Sequence, residues 1–152
     1  MTTASDRSGS PATSVIRVIT RLNIGGPSIQ ATRLTTALEQ HGFTTRLVHG
    51  RLGDGEGDMS YLIAPGADAL FIPELRRPLS PLHDYRALVR LYDEISRTRP
   101  AIVHTHMAKA GLLGRLAAAL YNLTRGSAPR ARVVHTYHGH VLEGYFLSLI
   151  HI

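Results

Sequence analysis

Val15-Ile16-Arg17-Val18-Ile19 runs into Thr20-Arg21-Leu22-Asn23-Ile24-Gly25-Gly26-Pro27, and this stretch decides the fold. Its first five residues are β-branched around a single arginine and have the length of a buried strand. Two glycines and a proline then mark a tight loop opening a helix, whose first turn has no use for the N–H that proline lacks. Ile29, Leu34, Ala37, Leu38 and His41 follow at helical spacing as the expected buried face, and Gly42 is placed to end the helix. Phe43 to Val48 returns to a strand pattern. Strand, glycine loop, helix and strand make a βαβ unit, which crosses over right-handed.

The pattern continues outward from this unit. Gly50 to Asp58 is a polar loop in which Asp54, Glu56 and Asp58 lack the ligand order of a calcium loop, so it reads as a solvated acidic turn. A short helix is expected from Asp58 to about Ala64, and a third strand over Ala69 to Pro73. Leu82, Tyr85, Leu88, Val89, Tyr92 and Ile95 form an amphipathic stripe, taken as the buried face of a helix that ends before Pro100. Ala101 to Thr105 is a fourth strand, and Leu112, Leu113, Leu116, Ala117 and Leu120 give another expected buried face. Arg132 to Thr136 is the last strand. This alternation specifies an α/β fold with a Rossmann-like, doubly wound, mostly parallel sheet.

Composition narrows the function classes. At 152 residues and 43% hydrophobic, the chain holds one domain with a real core. No apolar run is long enough for a membrane span, and residues 1–14 read as a polar, disordered tail and not as a secretory signal. With no cysteine to form a disulfide, a cytoplasmic setting is expected. Of the 17 basic residues all but Lys109 are arginine, and they are scattered and not blocked, which argues against nucleic acid. The same arginine bias suits phosphorylated ligands or an anionic bilayer, so peripheral contact with the inner face of the plasma membrane belongs to the expectation.

The candidate chemistry sits in the loops after strands. Gly25 and Gly26 lie between a strand and a helix N-terminus, where backbone amides and the helix dipole favour an anion, although a plain tight turn explains them equally well. The loop is not GxGxxG and no acid ends the second strand, which disfavours a nicotinamide cofactor. Five histidines, His104, His106, His135, His138 and His140, gather at the ends of two strands. Alternation across a strand separates them onto opposite faces, so no metal is assigned, and His104 and His135 are expected to pack within the fold. His138, beside Gly139 and past the strand, is placed to hydrogen-bond a sugar hydroxyl or support charge in a transition state. His106, Lys109, Gly139 and Glu143 are further candidates for substrate contact, each with a bland structural alternative, such as an exposed lysine or a helix-capping glutamate.

Four of these stretches, in this order, resemble family 4 glycosyltransferases. They are Val18-Ile19-Thr20-Arg21-Leu22-Asn23-Ile24-Gly25-Gly26, Arg99-Pro100-Ala101-Ile102-Val103-His104-Thr105-His106, Lys109-Ala110-Gly111-Leu112-Leu113-Gly114-Arg115 and His135-Thr136-Tyr137-His138-Gly139-His140. The resemblance covers residues 15–146 and implies the N-terminal half of a GT-B fold, two Rossmann-like domains facing across a cleft. It implies a retaining, metal-independent transfer from a UDP- or GDP-sugar to a sugar or lipid-linked acceptor in cell-surface polysaccharide synthesis, with no cofactor. By the match, Gly25 and Gly26 approach the donor diphosphate and the transferred sugar, and His138 contacts that sugar. The C-terminal domain is missing from this chain, so the expectation is an inactive fragment whose residues 147–152 form a non-native tail. A non-catalytic Rossmann-like module that binds a phosphorylated or sugar ligand is the alternative.

Overall fold

The computed structural model describes residues 12–138. Its elements are β1 (Thr13–Ile19), α1 (Gly26–Gln40), β2 (Phe43–Gly50), β3 (Ala69–Ile72), α2 (Pro81–Thr98), β4 (Ile102–His106), α3 (Ala108–Thr124) and β5 (Arg132–Thr136). All five strands pair in parallel in the order β3-β2-β1-β4-β5. The chain winds from β1 outward to β3, crosses back through α2, and winds the other way through β4 to β5. The carboxyl ends of β1 and β4 therefore border the topological switch point, where such sheets bind ligands.

With neighbours on both sides, β1 is the buried centre of the sheet. Ile16 and Val18 point to one face, where α2 and α3 cover them together with Val48, Val103 and Ala117. Ile19 points to the other, where Leu47 and Ala31 of α1 complete a smaller cluster. Arg17, on the α1 face, is completely buried, and its Nη1 donates to Thr35 Oγ1 and to the carbonyl of Ala31. Burial lowers its pKa to about 10, and its Nε and Nη2 have no partner among the described residues. Its neighbours explain the composition of the helix above it.

The helices bury part of the expected faces, with Ile95, Leu113 and Ala117 in the core and Leu88 and Tyr92 packed against it, and depart from the rest. On α1 the buried residues are Ser28, Ala31, Thr32 and Thr35, while Ile29, Leu34, Ala37 and Leu38 are half-buried and His41 is exposed. Thr32 and Thr35 satisfy their hydroxyls on the carbonyls of Ser28 and Ala31, one turn back, each at 2.8 Å. A small, self-satisfied face lets α1 approach the strand that carries Arg17. In α2 the buried residues are Ala87, Leu91, Glu94 and Ile95, leaving Leu82, Tyr85 and Val89 exposed. In α3 they are Ala110, Gly111, Leu113, Gly114, Ala117, Ala118 and Tyr121, leaving Leu112, Leu116 and Leu120 exposed. Contact of α3 with the sheet is so close that a Cβ on Gly114 would lie 2.6 Å from Thr105 Cγ2. The expected helix at Asp58 to Ala64 is only a 3-10 turn, Ser60–Leu62. At its far end α2 stops as Pro100 requires, with Arg99 in the left-handed region at φ 48°.

Candidate functional site

The glycine loop after β1 is held from behind. Gly25 has φ 151° and so needs to be glycine, whereas a Cβ at Gly26 would meet nothing within 4 Å and faces open space. Pro27 lacks an N–H, so the first-turn amides of Gly26 and Ser28 are among those with no acceptor inside the helix. Ser28 Oγ donates to the Asn23 carbonyl at 2.6 Å, and Ile24 N–H donates to the Gly57 carbonyl at 3.1 Å. The acidic loop is more than solvated. Glu56 accepts from Arg21 Nε at 2.7 and 2.8 Å and from the Gly53 amide at 2.8 Å. The Arg21 hydrogen bond, then that of Gly53, holds the Glu56 carboxyl below its usual pKa. The loop thus braces the glycine turn from the side of β2.

The histidines sort by strand register. In β4, His104 and His106 share the face of Arg17, with which His104 is in register, and their rings lie 4.2 Å apart. His104 Nε2 meets Thr136 Oγ1 at 2.8 Å. The ring of His135 lies on the opposite face, bonded to Thr105 Oγ1 at 2.8 Å and packed edge-on against Tyr137. Just past β5, His138 stacks on His106 at 5.1 Å, with His106 Nδ1 2.8 Å from His138 Nε2. His106 is wholly buried, so in this structure it reaches a ligand only through His138.

Electrostatics keep this trio neutral. Burial first, then the neighbouring His104 and His138, lowers His106 to about 3; burial, then Arg17, lowers His104 to about 4; burial also lowers His138. His106 Nε2 has no partner among the described residues. A buried orphan N–H is costlier than a buried orphan lone pair. That assigns the His106 proton to Nδ1, donating to His138 Nε2, and the His138 proton to Nδ1. His138 then presents a neutral N–H donor, suited to a hydroxyl or to negative charge growing on oxygen. Among the described residues no cluster of three or more His, Asp or Glu is placed to hold a metal.

Between the ends of β1 and β4 lies a crevice of about 400 Å³. Thr20, Met107, Leu112 and Leu113 supply its apolar wall, and Arg21 and Arg77 its charge. Met107, at φ 66° and ψ 163°, occupies a region nearly reserved for glycine, so the β4–α3 turn stores strain beside this crevice. Lys109 also lines it, but its ammonium bonds Asp84 at 2.6 Å and the Pro78 carbonyl, joining the first turns of α3 and α2. Sequence reasoning missed Arg21, Arg77 and the Glu56 brace; Arg21, two residues past β1, was the legible signal. Gly139, His140 and Glu143 lie outside the described residues.

A parallel sheet of this winding, with glycine loop, histidine pair and crevice gathered at its carboxyl edge, defines a Rossmann-like ligand-binding domain. Residues 24–152 match the family model described as Glycosyltransferase Family 4, and the chain belongs to that family. An Escherichia coli relative, UDP-Gal:alpha-D-GlcNAc-diphosphoundecaprenol alpha-1,3-galactosyltransferase, is 36% identical over 87 residues, 57% of this chain and 21% of the relative. The chain thus spans about a fifth of that protein's length. Among solved structures, MurG of Acinetobacter baumannii superposes with a TM-score of 0.60 at 15% identity, covering 82% of this chain and 35% of that one. A sucrose-phosphate synthase of Thermosynechococcus elongatus gives 0.56 at 15% identity, covering 83% and 33%. At such identities these two establish the fold, that of the N-terminal half of GT-B proteins. No helix among the described residues is long and apolar enough to cross a membrane.

Proposed function

We propose that this chain is the acceptor-side, N-terminal domain of a retaining glycosyltransferase. It works on a UDP- or GDP-sugar donor and a lipid-linked or polysaccharide acceptor at the inner face of the plasma membrane. The observation that carries the reading is the convergence of the glycine loop, the His106–His138 pair and the arginine-rimmed crevice on one switch point. Gly25 and Gly26 let the donor diphosphate approach the amides of α1. His138 donates to a hydroxyl of the transferred sugar, and His106 holds it in the donating tautomer. The crevice between Arg21, Arg77 and the Lys109–Asp84 pair receives the acceptor. By the family resemblance, Gly139 and Glu143 are further substrate contacts. The relative's diphosphoundecaprenol-linked substrate and the 21% of its length matched here support a lipid-linked acceptor and a second, nucleotide-binding domain. The fragment alone is therefore inactive.

The test uses nucleotide-sugar turnover by the 152-residue chain and by the full-length protein that carries this domain. The chain alone should show none. In the full-length protein His138→Ala should lower kcat on the order of a hundredfold, the usual cost of one transition-state donor, with a small change in KM for the donor. Turnover by the isolated chain, or an unchanged kcat in the variant, would refute the reading. Sugar-phosphate binding without any turnover by the full-length protein would instead assign a non-catalytic module.

A further inference from the structure

Arg17 is an isolated cation inside the protein. Among the described residues two permanently charged side chains are buried, and Glu94 has Arg46 and Arg97 while Arg17 has no carboxylate. Its Nη1 meets only the Ala31 carbonyl at 3.4 Å and Thr35 Oγ1, and its Nε and Nη2 are unmet among those residues. Keeping such a charge is expensive, and departures of this kind gather at functional sites. The register shows what the charge adjoins. Arg17 is paired with His104, whose ring lies 4.2 Å from that of His106. His106 in turn stacks on His138 at 5.1 Å and bonds it at 2.8 Å. The surroundings of these rings are cationic throughout. β1 supplies Arg17, β4 the two histidines, and β5 with its end His135 and His138; Arg115 of α3 reaches His135 from the other face. The buried face of α1 brings only Ser28, Ala31, Thr32 and Thr35. Among the described residues no acid opposes these groups at His104 or His106.

We infer that Arg17 is a positioning residue, whose permanent charge keeps the His104–His106–His138 relay neutral while an anion occupies the switch point. The need arises from the ligand. A diphosphate beside the rings favours their charged form. A proton arriving on His138 Nε2 would turn the acceptor of the His106 Nδ1–H into a second donor, and the bond between the two rings would break. His138 would then lose the tautomer and the ring orientation that present its Nδ1–H to a sugar hydroxyl. Burial alone does not protect the relay. The low dielectric that keeps the rings neutral in the free protein also strengthens the pull of an anion, and a fixed cation offsets that pull. Burial is the first cause that lowers His104, and Arg17 is the second. Arginine suits this place because burial lowers Arg17 only to about 10, whereas a buried lysine sheds its proton readily. The inference rests on the reading above only for the diphosphate and for the role of His138.

The test follows the ring nitrogens of His104, His106 and His138 by proton–nitrogen NMR in the 152-residue chain, with no sugar nucleotide or acceptor present. Failure of the catalytic reading therefore leaves the result intact. With His104 at about 4, roughly a tenth of it is protonated at about pH 5. Arg17→Met should raise that fraction at least about twofold, and Arg17→Gln should raise it alike. Both remove the charge, and only glutamine keeps a group that bonds Thr35, so agreement between them assigns the effect to charge. Far-UV circular dichroism at each pH reports the fold. Unchanged titration in a folded variant, disagreement between the two variants, or loss of the fold in both overturns the inference. In the full-length protein the same substitutions should move the acid limb of kcat toward neutral pH. A limb that stays in place although the rings titrate higher would count against the role of His138 and leave the effect of the charge standing.

Discussion

Acidification offers a direct test of the buried histidines. His106 is held neutral in the fold, its pKa lowered to about 3 from the 6.5 of free imidazole. The unfolded chain therefore binds a proton that the folded chain refuses, and stability falls as the pH drops through 6.5. At about 1.36 kcal/mol per unit, moving from about pH 7 to about pH 5 removes roughly 2 kcal/mol through His106. His104, lowered to about 4, removes a similar amount, so together they withdraw about 4 kcal/mol. Urea unfolding followed by circular dichroism at the two pH values reads this directly. For a domain of this size it corresponds to about 8–16 °C in Tm. His106→Gln, which cannot titrate, should cut the pH-dependent loss by about 2 kcal/mol, leaving the share of His104 and that of His49, His135 and His138, which burial also holds below the usual imidazole value. A midpoint that does not move over this range, or a variant that loses as much as the parent, would show that His106 is not held neutral by burial. Carboxylates do not confuse the test, since they titrate lower.

Two further outcomes follow from buried charge. Arg17→Met keeps the apolar stem and removes a guanidinium that lacks a carboxylate, so urea unfolding should show unchanged or higher stability, by about 1–3 kcal/mol; a loss above about 2 kcal/mol would mean that an unseen anion satisfies it. Glu56→Gln should loosen the brace on the glycine loop, accelerating hydrogen exchange at the Ile24 and Gly53 amides on the order of tenfold while amides of β1 stay protected. Because the Glu56 pKa is lowered from 4.5, the unmodified brace should hold above that value and loosen as the pH falls below it.

Much of the architecture was legible in the sequence because strands announce themselves. Val15 to Ile19 is β-branched and central, Pro100 fixes the end of α2, and Gly25-Gly26-Pro27 fixes the start of α1. Helix faces were harder for a physical reason. Both α2 and α3 carry two apolar sides, and periodicity selects the one with the larger residues. A helix that lies close on a sheet buries mainly small residues instead, here Gly111, Gly114, Ala117 and Ala118, and of its leucines only Leu113 joins them while Leu112, Leu116, Leu120 and Leu123 are left outside. The histidine pair was hidden for another reason. His106 meets Thr136 only in the parallel register of β4 and β5, which the residues of neither strand dictate alone. The depth of His106, wholly buried behind His138, is likewise something spacing does not report.

The central position of β1 has a consequence for how the chain folds. On one side β1 pairs with β2 and β2 with β3, all by Ile72, but its other edge waits for β4, where Ser14 Oγ accepts from the Ala101 amide 87 residues away. A chain emerging from the ribosome can therefore close β1, α1, β2 and β3 early and must hold an unpaired, apolar strand edge until Ile102–His106 arrives. Parallel pairing at such separation is slow because loop closure precedes the contacts that reward it. Arg17, in the middle of that waiting edge, puts a charge into an otherwise continuous apolar strand.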